Sequence, residues 1–186
     1  MPKRCGWVKM TNPLYIAYHD EEWGHPLHDD QAIFELLCME TYQAGLSWET
    51  VLNKRQAFRE AFRGYQIQAV AKMTDSELEA LMTNPAIIRN RAKIFATRAN
   101  AQAFLQVQKD YNSFDAYLWS FVEGNTIVND VPDYSQAPAK TPLSEKLSKD
   151  LKKRGFKFTG PVAVLSFLQA AGLVDDHEND CEWKGN

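Results

Sequence analysis

Apolar residues along most of this chain recur at helical spacing, and the clearest stripe lies between residues 30 and 50. Its apolar members are Ile33, Leu36, Leu37 and Ala44. Steps of three, four and seven residues place these side chains on one face of a helix, which predicts a helix packed against a core. Asp29 or Asp30 can cap its start, and Gly45 can end it.

Glu40 falls inside this apolar stripe, where a core residue is expected. The helix dipole disfavours negative charge near the last turns, and burial raises the pKa of a carboxyl group in addition. One interpretation is a core glutamate paired with an arginine or a hydroxyl, which the pattern alone favours; the other is a pocket carboxylate that binds a ligand. Tyr42, Gln43 and Trp48 follow closely. A carboxylate among flat aromatic rings suits a planar cationic or amide-bearing ligand, which can stack and donate hydrogen bonds at once, and a purine base is such a ligand.

Further helices are predicted along the rest of the chain. One is expected over 48–62, one begins at a capping box formed by Thr74 and Glu77, one covers 87–105, and one begins at Ser113. In the third of these, Arg89, Arg91 and Lys93 are expected to face solvent or phosphate. Residues 123–140 are rich in Gly, Asn, Asp and Pro, which predicts a long irregular connection. No alternation is long enough to predict a strand.

Two helices joined by a short glycine-flanked turn are predicted between residues 141 and 172. Thr141 caps the first helix and Gly155 ends it, while Gly160 precedes the second. Arg154 and Lys157 lie beside the turn, within a basic cluster. Such a pair is compatible with simple antiparallel packing and a solvated basic face. Alternatively, backbone N–H groups at the turn, with lysines beside them, can bind a DNA phosphate without reading sequence.

Composition narrows the class of protein. The 186 residues, 45% of them hydrophobic, predict one soluble globular unit with a sizeable core. No apolar run could span a bilayer and no secretion signal is recognisable, so a cytoplasmic location is expected. The net charge of -3 argues against indiscriminate binding of nucleic acid, because phosphate contacts need local positive charge. Three cysteines, an odd number, favour reduced thiols or metal ligation over a disulfide framework.

Several motifs together resemble one known family. They are RCGW, PLYIAYHDEEWG, METYQAGLSW, KRQAFREAF and IIRNRAKI, and matches extend from Arg4 to Cys181. The chain resembles DNA-3-methyladenine glycosylase I, of the helix-hairpin-helix superfamily. The resemblance implies an all-α fold with the hairpin at about 142–172. It also implies that residues 1–186 form a single unit, a monomer in which two helical lobes flank a base pocket.

The resemblance further implies roles for individual residues. Glu40 is expected to be catalytic and to bind the edge of the base, within a pocket walled by Tyr15, Tyr18, Trp23 and Trp48. Contacts with DNA are expected from Gln43, Gly45, Leu46, Arg154, Gly155, Lys157 and Gly160. The first three of these would occupy the gap that the extruded nucleotide leaves in the duplex.

A metal site is the remaining expectation. His177 and Cys181 are four residues apart and can chelate one metal ion, but such a pair alone is a weak signal for zinc. The resemblance adds Cys5 and His19, because the family joins its two chain ends through Zn²⁺ bound by two cysteines and two histidines. Four protein ligands complete a tetrahedron and leave no position for an activated water, so the zinc is expected to be structural.

The implied reaction is hydrolysis of the N-glycosidic bond of 3-methyladenine in double-stranded alkylated DNA, which releases the free base and leaves an abasic site. Asp175 and Asp176 occupy places where the larger superfamily carries a catalytic aspartate, but this family works without it, and a structural role is expected for both. Bifunctional members of the superfamily add a lysine nucleophile, but Lys157 belongs to the hairpin turn, which leaves no good candidate for that role. A monofunctional enzyme is therefore expected. A non-catalytic DNA-binding module and a zinc hydrolase are the other classes, and release of free base distinguishes all three.

Overall fold

The computed structural model describes residues 1–185, and these are mostly helical, as the sequence predicts. Its helices are α1 (Pro13–Glu21), α2 (Asp30–Tyr42), α3 (Trp48–Asn53), α4 (Arg55–Ala61), α5 (Ile67–Ala71), α6 (Asp75–Leu81), α7 (Arg91–Tyr111), α8 (Phe114–Ser120), α9 (Pro142–Lys153) and α10 (Pro161–Ala170). Short 3₁₀ turns lie at Arg63–Tyr65 and Tyr134–Gln136. One hydrophobic cluster extends from Cys5 to Cys181 and contains buried side chains of nearly every helix.

Helix α2 lies at the centre of this cluster and packs against α7 and α10. Asp29 is its N-cap, since one carboxylate oxygen accepts a hydrogen bond from the Ala32 amide at 2.9 Å. The helix ends at Tyr42, earlier than Gly45, which lies in the following turn with a φ of 78° that favours glycine. Ala44 therefore lies outside the helix and is exposed, so its expected place in the apolar stripe was wrong.

The single helix predicted over 48–62 is in fact two helices, α3 and α4. They meet at Lys54, whose φ of -96° and ψ of 2° are not helical. Immediately after the break, the Arg55 guanidinium is held by Glu22 of the segment after α1 and by Glu35 of α2. Apolar spacing alone could not show this change of direction, because the anchoring carboxylates lie far away in the sequence.

The helix predicted over 87–105 begins later and ends later, at Arg91 and Tyr111. Asn90 sets the start, because its side chain accepts a hydrogen bond from the Lys93 amide at 3.1 Å. Lys93 was expected to face solvent or phosphate, and this was wrong: it is only 6% exposed. Its ammonium group donates hydrogen bonds to the carbonyl oxygens of Tyr42 at 2.7 Å and Ala44 at 2.6 Å. A cation thus satisfies carbonyls at the negative end of the α2 dipole.

The structure also contains two very short strands that the sequence did not predict. β1 (Ile127–Val128) and β2 (Val174–Asp175) are parallel, with Ile127 opposite Val174. Two residues per strand are too few to give a recognisable alternation of polar and apolar positions. The pairing ties the 123–140 connection to the C-terminal segment, and Asn179 continues the contact by two hydrogen bonds with the backbone of Val131.

The caps predicted at Thr74, Ser113 and Thr141 are confirmed, since each side chain accepts a hydrogen bond from an amide three residues on. Pro142 occupies the first turn of α9, and Gly160 precedes α10, as expected. Across residues 1–185, no helix combines the length and the apolar character needed to cross a bilayer.

We expect Lys93→Met to destabilise the fold by about 1.5 to 3 kcal/mol, because the carbonyl groups of Tyr42 and Ala44 lose a charged hydrogen-bond donor. Chemical denaturation measures the change. Lys109→Met, an exposed position on the same helix, is the matched control and should change stability by less than about 0.5 kcal/mol. Equal stability of the two variants would show that the Lys93 ammonium contributes nothing to the end of α2.

Candidate active site

A cavity of about 170 Å³ lies between α1, the ends of α2 and α10, and the segment before α9. We name it the aromatic cavity. It is lined by Trp7, Tyr15, Tyr18, Trp23, Glu40, Gln43, Trp48, Tyr134, Ser166 and Gln169. The structure thus brings together Glu40 and all four aromatic residues predicted to surround it. A cavity with this lining suits one planar ring system that also carries polar groups.

Glu40 places its carboxyl group in this cavity, 4% exposed. Its Oε2 atom has no hydrogen-bond partner among residues 1–185. Burial raises the pKa of Glu40 to about 8, so the free protein carries the group mainly as the neutral acid at pH 7. An ionised carboxylate here needs a positively charged or hydrogen-donating partner from outside the chain.

Glu35, one and a half turns earlier on α2, shows what a paired core glutamate looks like in this protein. It is 7% exposed, and its carboxylate binds Arg55 at 2.7 Å and Arg59 at 2.9 Å. Burial would raise the pKa of Glu35, but the hydrogen bonds from Arg59 and Arg55 outweigh it and hold the pKa below its usual value. Glu40 lacks such partners in the described chain, which favours the pocket interpretation over the paired one.

The aromatic walls of the cavity form a continuous surface. The ring centroids of Tyr18 and Trp48 are 5.2 Å apart with planes inclined by 49°. Trp7 contacts Trp23 edge to face at 4.8 Å and lies 5.7 Å from Tyr15. The indole N–H groups of Trp7 and Trp48 are buried and, within 1–185, unpaired. The cavity therefore offers hydrogen-bond donors as well as the Glu40 carboxyl group.

A second, wider cavity of about 460 Å³ adjoins the first and is open to solvent; we name it the open groove. It lies between the turn after α2 and the start of α10, and it includes Gln43, Gly45, Leu46 and Gly160. Glu40 lines both cavities. The predicted gap-filling turn and the predicted phosphate-binding turn therefore face one groove that leads to the buried carboxyl group.

The basic residues of the turn between α9 and α10 differ in their surroundings. Lys157 is exposed, while its backbone N–H donates to Asn100 at 2.7 Å. The Arg154 guanidinium binds Asp150 at 2.8 Å and the Tyr111 hydroxyl at 2.8 Å. The Gly155 amide donates to the backbone of α9. Lys157 thus offers a free charged side chain, whereas Arg154 mainly holds α9 against the end of α7.

Three of the four predicted metal ligands come together. The ligand atoms of Cys5, His19 and Cys181 all lie within 4.8 Å of one another, and all three residues are buried. His19 hydrogen bonds through Nδ1 to Asp20 at 2.8 Å, which leaves Nε2 directed at Cys181, 3.5 Å from its sulfur. A metal-bound histidine usually hydrogen bonds to a carboxylate, a backbone carbonyl or water through the ring nitrogen that does not bind the metal. Burial raises the pKa of the Cys5 thiol.

His177, the fourth predicted ligand, adjoins this group without joining it. Its ring centroid lies 5.1 Å from that of His19, and its Nδ1 is 2.7 Å from an oxygen of Asp175. Its Nε2 is buried and has no partner in the described part of the chain. Gly24 is required beside it, because a Cβ there would lie 2.5 Å from the imidazole. The buried, unpaired nitrogen fits a missing bond to a metal.

The sequence analysis missed four residues of the aromatic cavity: Trp7, Tyr134, Ser166 and Gln169. Trp7 lies in the RCGW motif, so a signal was present. Gln169 is a polar residue, 2% exposed, on a mainly apolar helix, and a polar residue among apolar ones is the signal that identified Glu40. Tyr134 lies in the irregular connection, and no local pattern separates it from the other residues there.

A mostly helical fold with a buried carboxyl group in an aromatic cavity, beside an open groove, describes a protein suited to binding a flat ring system such as a base. The methyladenine glycosylase family model matches residues 7–184. A DNA-3-methyladenine glycosylase of Haemophilus influenzae is 50% identical over 184 residues, 99% of both chains. DNA-3-methyladenine glycosylase 1 of Escherichia coli is 47% identical over 179 residues, 96% of this chain and 95% of that one.

A solved 3-methyladenine DNA glycosylase I, in complex with 3-methyladenine, has a TM-score of 0.95 and 42% identity, with 98% of each chain covered. The chain therefore belongs to the methyladenine glycosylase family.

The raised pKa of Glu40 predicts a pH dependence of stability. In the unfolded chain Glu40 ionises near its ordinary pKa, 4.5, whereas in the folded protein it does so at about 8. The stability that this group contributes is fully present below pH 4.5. It falls by up to about 5 kcal/mol as the pH rises to about 8, and it is constant at higher pH. Glu40→Gln removes this titration.

Denaturation from pH 5 to 8.5 measures the difference between wild type and Glu40→Gln. The variant should gain stability relative to wild type as the pH rises. Glu60→Gln, an exposed position, is the control and should follow wild type. Parallel curves for Glu40→Gln and wild type would contradict the buried, neutral carboxyl group.

Proposed function

We propose that this protein hydrolyses the N-glycosidic bond of 3-methyladenine in alkylated double-stranded DNA, as a monofunctional enzyme of base excision repair. One observation carries the proposal: a member of the methyladenine glycosylase family holds an unpaired, buried Glu40 carboxyl group in an aromatic cavity. A non-catalytic DNA-binding module has no use for such a group. Free base and an abasic site are the products.

Glu40 acts on the base. Methylation at N3 makes the base in DNA cationic, which weakens its pairing and makes it a good leaving group. Opposite charge lowers the pKa of a carboxyl group, so the bound cation draws Glu40 into its ionised form and the proton passes to solvent. The carboxylate then accepts hydrogen bonds from the edge of the base. The faces and the rim of the base are contacted by the aromatic rings of Tyr18, Trp48, Trp23 and Tyr15. Water attacks the sugar carbon and releases a proton to solvent, while the electrons of the broken glycosidic bond pass to the cationic base, which leaves neutral.

The open groove receives the DNA. An extruded nucleotide leaves a gap in the stack, and Gln43, Gly45 and Leu46 lie where they can fill it, with Leu46 38% exposed. The turn around Gly155 and Gly160 is the phosphate-binding side of a helix-hairpin-helix element. Lys157 supplies its free positive charge there, and Arg154 contributes by holding the turn in place through Asp150 and Tyr111.

A structural zinc ion bound by Cys5, His19, His177 and Cys181 completes the proposal. The close approach of three ligand atoms and the unpaired Nε2 of His177 support it. Zinc in a site closed by four protein ligands contributes folding energy and has no position for water. The four zinc ligands therefore make no contact with the base and transfer no proton in the reaction.

We further propose a monomer located in the cytoplasm. Its single hydrophobic cluster carries two helical lobes, one on each side of the aromatic cavity.

Release of free base from N-methylated DNA tests the function, and Glu40→Gln tests the assignment of the site. A hydrogen bond to a charged group contributes roughly 1.5 to 3 kcal/mol, so we expect about a ten- to hundredfold loss of affinity for 3-methyladenine. Excision should fall at least as much, with residual activity because the leaving group is labile. Glu60→Gln should behave as wild type. Unchanged binding by folded Glu40→Gln protein would refute the assignment.

We expect Lys157→Glu to weaken binding to DNA of any sequence and to lower the slope of log affinity against log salt by about 0.9, since one phosphate contact is lost. Affinity for free 3-methyladenine should not change. Lys72→Glu, exposed and outside both cavities, is the control for net charge. An equal loss in both variants would make the effect one of charge alone. Reversal of Arg154 should instead destabilise the fold.

We expect one zinc ion per chain in freshly purified protein. His177→Ala and Cys181→Ser should lose it and melt about 5 to 10 °C lower, a change of roughly 2 to 3 kcal/mol for a chain of this length. His28→Ala, at an exposed histidine, should keep both metal and stability. Metal analysis and thermal melting measure the outcome. Full zinc content in His177→Ala protein would remove that residue from the ligand set.

A further inference from the structure

A network of hydrogen-bonded polar side chains ends at the wall of the aromatic cavity. The Tyr134 hydroxyl donates to the Gln169 side-chain oxygen at 3.0 Å. The Gln169 amide nitrogen donates to Asp176 Oδ2 at 2.7 Å, and the Asn129 amide nitrogen donates to Asp176 Oδ1 at 2.7 Å. Gln169 and Asp176 are 2% and 6% exposed. The roles described so far for the base use none of these four side chains.

The hydrogen bonds of these side chains orient the Gln169 amide. Asp176 accepts one hydrogen bond from the Gln169 NH₂ group and one from the Asn129 NH₂ group, each at a different carboxyl oxygen. The Gln169 oxygen is then turned toward Tyr134. Burial raises the pKa of Tyr134 to about 12, so its hydroxyl is protonated at neutral pH and donates to that oxygen. Both ends of the amide are thereby matched.

This orientation determines which groups face the ligand. Tyr134 and Gln169 line the aromatic cavity together with Glu40. The Gln169 oxygen and the Tyr134 oxygen each keep a lone pair, so this part of the wall presents hydrogen-bond acceptors. An exocyclic amino group matches it. A carbonyl oxygen in the same place meets only acceptors, and an unmatched polar pair in a buried site lowers affinity.

We propose that Asp176, through Gln169 and Tyr134, sets the preference of the cavity for an alkylated base with an amino group at C6 over one with a carbonyl oxygen at C6, such as 3-methyladenine over 3-methylguanine. Asp176 is a positioning residue, since it acts through Gln169 and lines no part of the aromatic cavity. The inference rests on the proposed function, because it assumes that the cavity holds the excised base.

The test measures the affinities of purified, folded protein for free 3-methyladenine and free 3-methylguanine by calorimetry. Gln169→Met, Tyr134→Phe and Asp176→Leu should each lower the ratio of the two affinities about three- to tenfold, because 3-methyladenine loses an acceptor and 3-methylguanine loses a repulsion. A merely structural role would weaken both ligands alike. Zinc content is measured alongside, because Asp176 adjoins His177.

The matched control is Asp130→Leu, the same substitution at an exposed neighbour that binds the Asn179 amide. It should leave the ratio unchanged. In the double variant, Asp176→Leu should add nothing to the ratio already lowered by Gln169→Met, since the first acts through the second. If Asp176→Leu does not fold, the affinity ratios of Gln169→Met and Tyr134→Phe decide whether the inference holds.

Wild-type protein that releases 3-methyladenine from DNA, together with variants of unchanged ratio, would overturn this inference alone. Wild-type protein that releases no base would overturn the proposed function.

Discussion

The desolvation of one carboxyl group, that of Glu40, is the constraint on which the rest of the site depends. An acid at this depth is kept neutral unless a donor or a cation reaches it, and the aromatic cavity that contains it adjoins the open groove. Glu35 on the same helix is equally buried but carries two arginine partners. The two glutamates therefore divide the roles: Glu35 holds α2 to α4, and Glu40 keeps its interaction for the ligand.

The cavity walls are supported from behind by the joined chain ends. Trp23 contacts the His177 ring edge to face at 4.7 Å, and Trp7 contacts His19 at 5.3 Å. The same indoles contact each other and line the aromatic cavity on their other side. Glu178 adds a further tie, since its carboxylate accepts hydrogen bonds from the amides of Gly6 and Tyr134. The segments that hold the candidate metal ligands thus also position the rings that line the aromatic cavity.

The end of α2 serves both structure and site. The Lys93 ammonium group donates hydrogen bonds to the carbonyl oxygens of Tyr42 and Ala44. The turn after Tyr42 is therefore free to leave the helix toward the open groove, where Gln43 and Leu46 lie next to the start of α10. Because Glu40 belongs to the last turn of α2, the buried carboxyl group and the exposed turn keep a constant separation. The open groove and the aromatic cavity are in this way both built on the end of one helix.

The sequence by itself determined the helical class, the caps at Thr74, Ser113 and Thr141, and the unusual position of Glu40, because caps and apolar stripes depend on residues three or four apart. Tertiary structure alone decided the break at Lys54, the burial of Lys93, the place of Tyr134 in the cavity, and the separation of His177 from the other three candidate ligands. Each of these depends on partners more than thirty positions away, such as Glu22 for Arg55, Tyr42 for Lys93 and Gln169 for Tyr134. Local spacing carries no information about such partners, because they meet only when the core has formed.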